Sequence, residues 1–281
     1  MKQLITLCML LLLSFSFSTA QQIQMPQASP SARITQKVGL TDVTVDYSRP
    51  STKDRKIFGE LVPFGNIWRT GANGATTLTF TTDVSIDGNT VPAGKYALYS
   101  IPEKTSWTLI LTTNTELWGA IGYDPSDDVL RFTAEPQKLK NNQETFEIRF
   151  ENISDSGSDI SLEWEKTRVA FRIETEVDPI VMAQIQEYVI ENPDPEAGQL
   201  YAAANYYYSN DKDLNKAYNW ISQSVDEDPQ YWTVHLKAKI EAALGMKTEA
   251  VETAEDGMEL AEEAGNPDYV RLNERLIQSL R

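Results

Sequence analysis

Cysteine and histidine are all but missing from this chain. The only cysteine, Cys8, lies inside an apolar N-terminal run, and the only histidine is His235. Residues 1–20 read as an export signal. Lys2 gives the positive start, and Leu4 to Phe17 form an apolar stretch too short to cross a bilayer comfortably. Ser18-Thr19-Ala20 supplies small residues for cleavage before Gln21. No small-residue lipoprotein box precedes Cys8. The chain from Gln21 onward then has no thiol at all. That excludes disulfides, thiolate metal sites and cysteine nucleophiles, so each domain must rely on its own apolar core. Any histidine base or histidine-bound zinc would have to rest on His235. It sits between Val234 and Leu236 in a helical pattern, where a lone histidine reads as a packing or surface residue.

Positive charge is also scarce. The formal net charge is −16. From Asp178 to Arg281 there are 20 acidic and 8 basic side chains, against 21 and 16 from Gln21 to Val177. A surface of this sign repels phosphate backbones and anionic headgroups, which argues against nucleic-acid and membrane-surface partners. After the signal no membrane span is expected. The carboxylates show no calcium-loop spacing: Asp124-Pro125-Ser126-Asp127-Asp128 lacks both the central glycine and the closing glutamate. No cofactor, metal or catalytic residue is assigned.

What the chain does have, in the part before Val177, is strict alternation. Val43, Val45 and Tyr47 alternate with Thr44, Asp46 and Ser48. Leu78 and Phe80, Tyr96 and Leu98, and Trp107, Leu109 and Leu111 repeat the period. Phe146, Ile148 and Phe150 do so again, then Ile160, Leu162 and Trp164, then Val169, Phe171 and Ile173. Asp87-Gly88 marks a hairpin, and Asp155-Ser156-Gly157-Ser158 a second hairpin tip. No helical pattern interrupts these runs. An all-β antiparallel sandwich over residues 21–177 is therefore expected. From Asp178-Pro179 the spacing changes to three and four. A first helix carries Ile180, Ala183, Ile185 and Val189. Four more run over Leu200–Tyr208, Leu214–Val225, Tyr231–Leu244 and Thr248–Ala264, and a last helix opens at Pro267. Ala217 and Ala250 lie 33 residues apart, and Tyr201, Tyr208, Ala217, Ile221 and Pro229 fall at offsets resembling the tetratricopeptide repeat. Residues 178–281 thus read as an all-α helical-hairpin domain of that kind, or as an ordinary antiparallel bundle.

The densest stretch is Tyr47 to Asn73, YSRPSTKDRKIFGELVPFGNIWRTGAN. It crowds aromatic, cationic and turn-forming residues between two strands, which suggests an ordered loop carrying a site or a rigid plug. Together with Ser29-Pro30, Gln36-Lys37-Val38-Gly39 and Pro92-Ala93-Gly94-Lys95-Tyr96, its pieces Tyr47-Ser48-Arg49-Pro50, Arg55-Lys56-Ile57-Phe58-Gly59 and Trp68-Arg69-Thr70-Gly71-Ala72-Asn73 resemble the DUF2911 family. These are exported proteins of unknown function found mainly in Bacteroidota. The resemblance implies an exported β domain and supplies no reaction. The acidic residue that often follows the asparagine in that family is Gly74 here.

The candidate ligand-binding residues are Tyr47, Arg49, Trp68, Arg69, Asn73 and Trp118. Arginine forks suit carboxylates, phosphates or sugar acids. The same arginines would also serve as turn closers, with Arg69 paired to Asp46 or Glu60. Trp107 and Trp164 lie in clean alternation and belong to the core, whereas Trp68 and Trp118 lie in irregular segments and are freer to face a cleft. Three readings follow. The first is a non-catalytic cell-envelope binding or assembly protein, whose helices dock a protein partner and whose loops take a small molecule or glycan. The second is a carboxylate-dependent glycan hydrolase. The third is a purely structural domain, with the Tyr47–Asn73 loop packed as a lid.

Overall fold

A computed structural model describes residues 25–281. The expected signal over 1–20, with Cys8, lies outside the described residues. The chain divides into two compact units between Thr175 and Glu176.

Among the described residues, the first unit holds ten strands in two antiparallel sheets. The six-stranded sheet contains β1 (Ser31–Val38), β2 (Thr41–Ser48), β3 (Thr76–Phe80), β6 (Gly94–Ile101), β7 (Trp107–Thr112) and β8 (Asp128–Ala134). They are ordered β1-β2-β3-β6-β7-β8. The four-stranded sheet is ordered β5-β4-β10-β9, from β4 (Val84–Ile86), β5 (Asn89–Val91), β9 (Gln137–Glu151) and β10 (Gly157–Glu174). Alternation decides which side chains meet. On β2, Val43, Val45 and Tyr47 are buried while Thr44, Asp46 and Ser48 are only half-buried. Leu78, Leu98, Leu109 and Leu111 join them in one core with Phe146, Ile148, Ile160, Leu162 and Trp164.

The two runs expected around Ile160–Trp164 and Val169–Ile173 are one strand, not two. Inward positions are even-numbered up to Trp164 and odd-numbered from Val169. A register shift on either side of Glu165, whose φ is +55°, makes that change of parity. The six-stranded sheet is also covered locally on its outer face. Ala97, Tyr99 and Ile110 are buried there under Ile67, Ala75, Leu117, Ala120 and Tyr123.

The second unit consists of six helices. They are α1 (Asp178–Ile185), continued by a π-helical turn over Gln186–Ile190, then α2 (Ala197–Ser209), α3 (Leu214–Glu227), α4 (Tyr231–Ala243), α5 (Lys247–Glu263) and α6 (Pro267–Leu280). Asp213 caps α3 by accepting from the Asn215 and Lys216 amides, and Asn266 caps α6 in the same way. From α2 onward each helix packs on the next. Small residues allow close approach: Ala217 on α3 and Ala250, Ala254 and Ala261 on α5 are fully buried. Among the described residues, no helix is long and apolar enough to cross a membrane.

Candidate functional site

The connection from β2 to β3 is bonded to the opposite sheet along its first half. The Tyr47 hydroxyl donates to the Ile148 carbonyl and accepts from the Ile148 amide, both at 3.2 Å. Arg49 donates from Nε to the Phe146 carbonyl at 3.1 Å and lies 3.4 Å from the Glu147 carboxylate. The Phe146 amide donates to Pro50 O and the Thr52 amide to Glu144 O, at 2.8 and 2.7 Å. Glu144 also accepts from the Thr52 hydroxyl and from the Lys53 amide. Those hydrogen bonds hold its carboxyl below the usual carboxylate range.

The second half turns inward and then divides. Gly59, at φ +93°, lets the chain reverse so that its amide reaches Val62 O at 2.9 Å. Trp68 then pairs with Ser100 through two backbone hydrogen bonds of 2.7 and 2.8 Å. This short bridge imposes a strand-like alternation, with consecutive side chains on opposite faces. Trp68 points into the core. Its ring centroid lies 5.6–6.2 Å from those of Phe58, Trp107, Phe146 and Trp164, and its indole N–H donates to Gly71 O at 3.0 Å. Asn73 is occupied too, donating to Ser29 O and Ser48 Oγ.

Arg69 points the other way, toward the covered outer face. A Cβ placed on Gly119 would lie 3.7 Å from Arg69 Nη1. Beneath it, the Tyr99 hydroxyl donates to Gly119 O at 2.9 Å. Every other arginine of the β unit has partners. Arg33 pairs with Asp46, Arg49 with Glu147, Arg131 with Asp128, Arg149 with Glu163, Arg168 with Glu151 and Arg172 with Asp159. Arg55 donates to the Thr52 and Ser51 carbonyls. Arg69 has no carboxylate within 4 Å and no side-chain hydrogen bond among the described residues, and its Nε is sealed from solvent. The expected pairing with Asp46 or Glu60 does not form, since Arg33 takes Asp46 and Lys56 takes Glu60. Burial lowers the Arg69 pKa, and Tyr99 partly counters the shift. Tyr99 in turn is raised by the same burial.

Arg69 also lines a pocket of about 420 Å³, together with Arg55, Asn66, Trp68, Ala72 and Trp164 among others. No aspartate or glutamate lines it. Trp164 is core, as its alternation implies, yet its buried indole N–H has no partner either.

The loop that carries Gly119 is held in place from Trp118 onward. Its backbone bridges Gly74, and the Ala75 amide donates to Leu117 O at 3.3 Å. At the far end of this loop the Tyr123 hydroxyl donates to Asp128 and accepts from Arg131 at 2.7 Å. Burial, followed by the bond to Asp128, pushes Tyr123 up to about 12. The loop is thus pinned at both ends while the Trp118 side chain stays 74% exposed. Of the six candidates, Tyr47, Arg49, Trp68 and Asn73 are tied into the fold, Arg69 lies against Gly119 without a partner, and Trp118 is exposed. Arg55 and the Trp164 N–H are site features that residue type and alternation did not single out. Among the described residues, no group of three metal-ligating side chains occurs.

Residues 29–173, just over half of the chain, match the family described as Protein of unknown function (DUF2911). No curated protein and no solved structure matches the chain.

Proposed function

We propose, for a chain that belongs to the DUF2911 family of proteins of unknown function, that its β unit is a non-catalytic binding domain for a small anion-bearing ligand. One observation carries this reading: Arg69 keeps a guanidinium without partners in a protein where carboxylates are abundant and every neighbouring arginine has found one or a carbonyl. A sealed donor with no acceptor costs about 1–3 kcal/mol. A ligand oxyanion would pair with the two Nη groups, which are not sealed. Residue 69 also borders the pocket that Arg55 lines, and no carboxylate in that lining opposes a negative ligand. The same absence weighs against glycan hydrolysis there, because that chemistry needs two carboxylates about 5–10 Å apart across the cleft.

The lid reading keeps part of its ground. Tyr47, Arg49 and Trp68 serve the fold, and the binding role narrows to Arg69, Trp118 and the pocket. Export rests on the N-terminal pattern of Lys2, Leu4–Phe17 and Ser18-Thr19-Ala20. Docking of a protein partner at the cell envelope is assigned to the helical unit. The serial packing of α2 to α6 and the buried alanines 217 and 250, at tetratricopeptide-like spacing, support it.

The test is ligand-induced stabilisation of the full chain across a panel of small carboxylates, phosphates and sulfates. A rise in Tm that Arg69→Gln abolishes supports the reading, and no rise with any anion ends it. For the helical unit, pull-downs from envelope extracts with and without residues 178–281 should differ, and identical profiles end the docking role.

A further inference from the structure

The helical unit carries a groove of about 410 Å³ between the turn that ends α1 and one face of α3. The turn and the connection after it contribute Ile190, Pro193 and Pro195, and α3 contributes Lys216, Trp220 and Gln223. Those three residues of α3 stand at spacings of four and three, so one stripe of the helix presents all of them. The adjoining stripe, Ala217, Ile221 and Ser224, is buried. Trp220 therefore stands at the boundary between core and solvent. It is half-buried, and its ring packs edge-on against that of buried Tyr207, 4.8 Å between centroids. The opposite wall is fixed as well. The π-helical turn Gln186–Ile190 closes with the Glu191 amide on Gln186 O at 2.9 Å. It buries Val189 and leaves the adjacent Ile190 45% exposed on the rim of the groove. Such turns are rare and recur at functional sites. Pro193 and Pro195 have φ locked by their rings, so this wall is formed before anything binds.

The lining holds one cation and no carboxylate, in a unit that carries 20 acidic and 8 basic side chains. Lys216 has no carboxylate within 4 Å among the described residues, although Lys212 pairs with Asp178 and Lys237 with Glu241. Acids near the groove in sequence are turned elsewhere. Asp213 accepts from the amides of Asn215 and Lys216, and Glu191 accepts from Gln186. Gln223 is exposed at the far end of the stripe, with a carboxamide that can both donate and accept. The groove thus offers a positive charge, an aromatic face and a carboxamide in a row. A carboxylate, an apolar side chain and a peptide unit are their complements. Spacing sets the register. From Lys216 to Trp220 the helix rises about 6 Å. An extended peptide covers that distance in two residues, at about 3.3 Å each.

Resting on the reading of the helical unit as a docking module, we infer that this groove takes an extended segment of the partner protein, with an acidic residue two positions from a large apolar one. The carboxylate lies on Lys216. The apolar side chain lies between Trp220 and the wall of Ile190 and Pro193, and the peptide backbone passes Gln223. One carboxylate suffices. A run of several would meet the negative charge of the unit and be repelled.

The experiment follows the full chain, labelled with 5-fluorotryptophan, by fluorine NMR. Trp220→Phe identifies the Trp220 signal among those of the six tryptophans. The probes are the end-blocked pentapeptides Gly-Glu-Ala-Leu-Gly and Gly-Leu-Ala-Glu-Gly, which cover both chain directions. Versions with glutamine in place of glutamate are the neutral controls. The binding variants are Lys216→Glu and Ile190→Ala. Glutamate in the first turn of α3 favours the helix start, and Ile190 is half-exposed, so both variants should keep the fold; unchanged thermal unfolding verifies this. The expected result is a saturable shift of the Trp220 signal with a glutamate peptide. Its affinity should fall about fivefold or more in Lys216→Glu and with the glutamine version, and should weaken in Ile190→Ala. Equal binding of the glutamine version, or a shift that persists in both variants, overturns the inference. So does a Trp220 signal that no peptide moves. The docking reading then still stands if the pull-downs with and without residues 178–281 differ, and falls as well if they match.

Discussion

Arg69→Met should make this protein more stable. Methionine keeps most of the aliphatic stem that packs beside Tyr99 and Gly119 and removes the guanidinium. No salt bridge or side-chain hydrogen bond is lost, because none is present among the described residues. What disappears is the desolvation of a charged group, most severe at the sealed Nε. A buried unsatisfied donor costs about 1–3 kcal/mol. The rest of the side chain is partly exposed, so the lower end applies, about 1 kcal/mol. For a unit of this size that raises Tm by about 2–4 °C. The assay is thermal unfolding of the full chain followed by near-UV circular dichroism, dominated in the β unit by the packed rings of Trp68, Trp107 and Trp164. Arg131→Met is the control. It leaves the Asp128 carboxylate, nearly buried, with only Tyr123 as a partner, and should lower the transition. If Arg69→Met lowers Tm as Arg131→Met does, Arg69 is a structural residue and the anion-site argument fails. A rise in Tm combined with loss of ligand binding is the trade expected where a strained polar group is retained for recognition.

Trp68→Ala removes an indole in contact with four other rings and should cost about 3–5 kcal/mol, read from the urea midpoint; a cost below about 1 kcal/mol would make the connection a peripheral lid. Gly59→Ala places a Cβ 2.7 Å from the Phe64 ring at φ +93° and should destabilise by about 1–2 kcal/mol or more. Gly74→Ala, with nothing within 4 Å, should stay within about 0.5 kcal/mol; equal effects in the two would refute the geometry. The His235 pKa is lowered by burial, against the Asn273 hydrogen bond, so the unfolded chain takes up a proton that the folded helices resist. Stability of the helical unit should then fall as pH drops below about 6.5. Buried Glu241, raised by desolvation, acts in the opposite sense, its contribution being lost as pH rises from 4.5 through its folded value. The difference in urea midpoint between the native chain and His235→Gln at pH 7.5 and 5.5 isolates the histidine, and an unchanged pH slope would exclude it.

β2 was legible because it alternates cleanly, and β6 and β7 because Tyr96, Leu98, Trp107, Leu109 and Leu111 keep the inward period although Ala97, Tyr99 and Ile110 are buried on the other face. β1 gave no such signal. Its SARITQKV run turns Ala32, Ile34 and Val38 toward the core, but Gln36 interrupts that face and only Val38 is fully buried, as suits an edge strand. The first half of β9, QKLKNNQ, is polar on both faces for the same reason. The fusion of β10 into one strand depends on the irregularity at Glu165, a backbone event that residue types do not announce. The candidate site was legible as a cluster of the right residue types and illegible in its sorting. Trp68 and Arg69 separate because their segment pairs with Ser100, far along the chain. The isolation of Arg69 is a negative property, visible only after every nearby carboxylate has been assigned to another cation.

The bonds from Tyr47, Arg49, Pro50 and Thr52 to residues 144–148 also set an order of events. Their partners are about a hundred residues apart in sequence, and contacts of such separation form late and slowly. A growing chain that ends before Phe146 has no acceptor for the Arg49 side chain and lacks two of the rings that enclose Trp68. Its first sheet would wait with an open aromatic seam. The β unit of a polypeptide built this way closes only when β9 arrives.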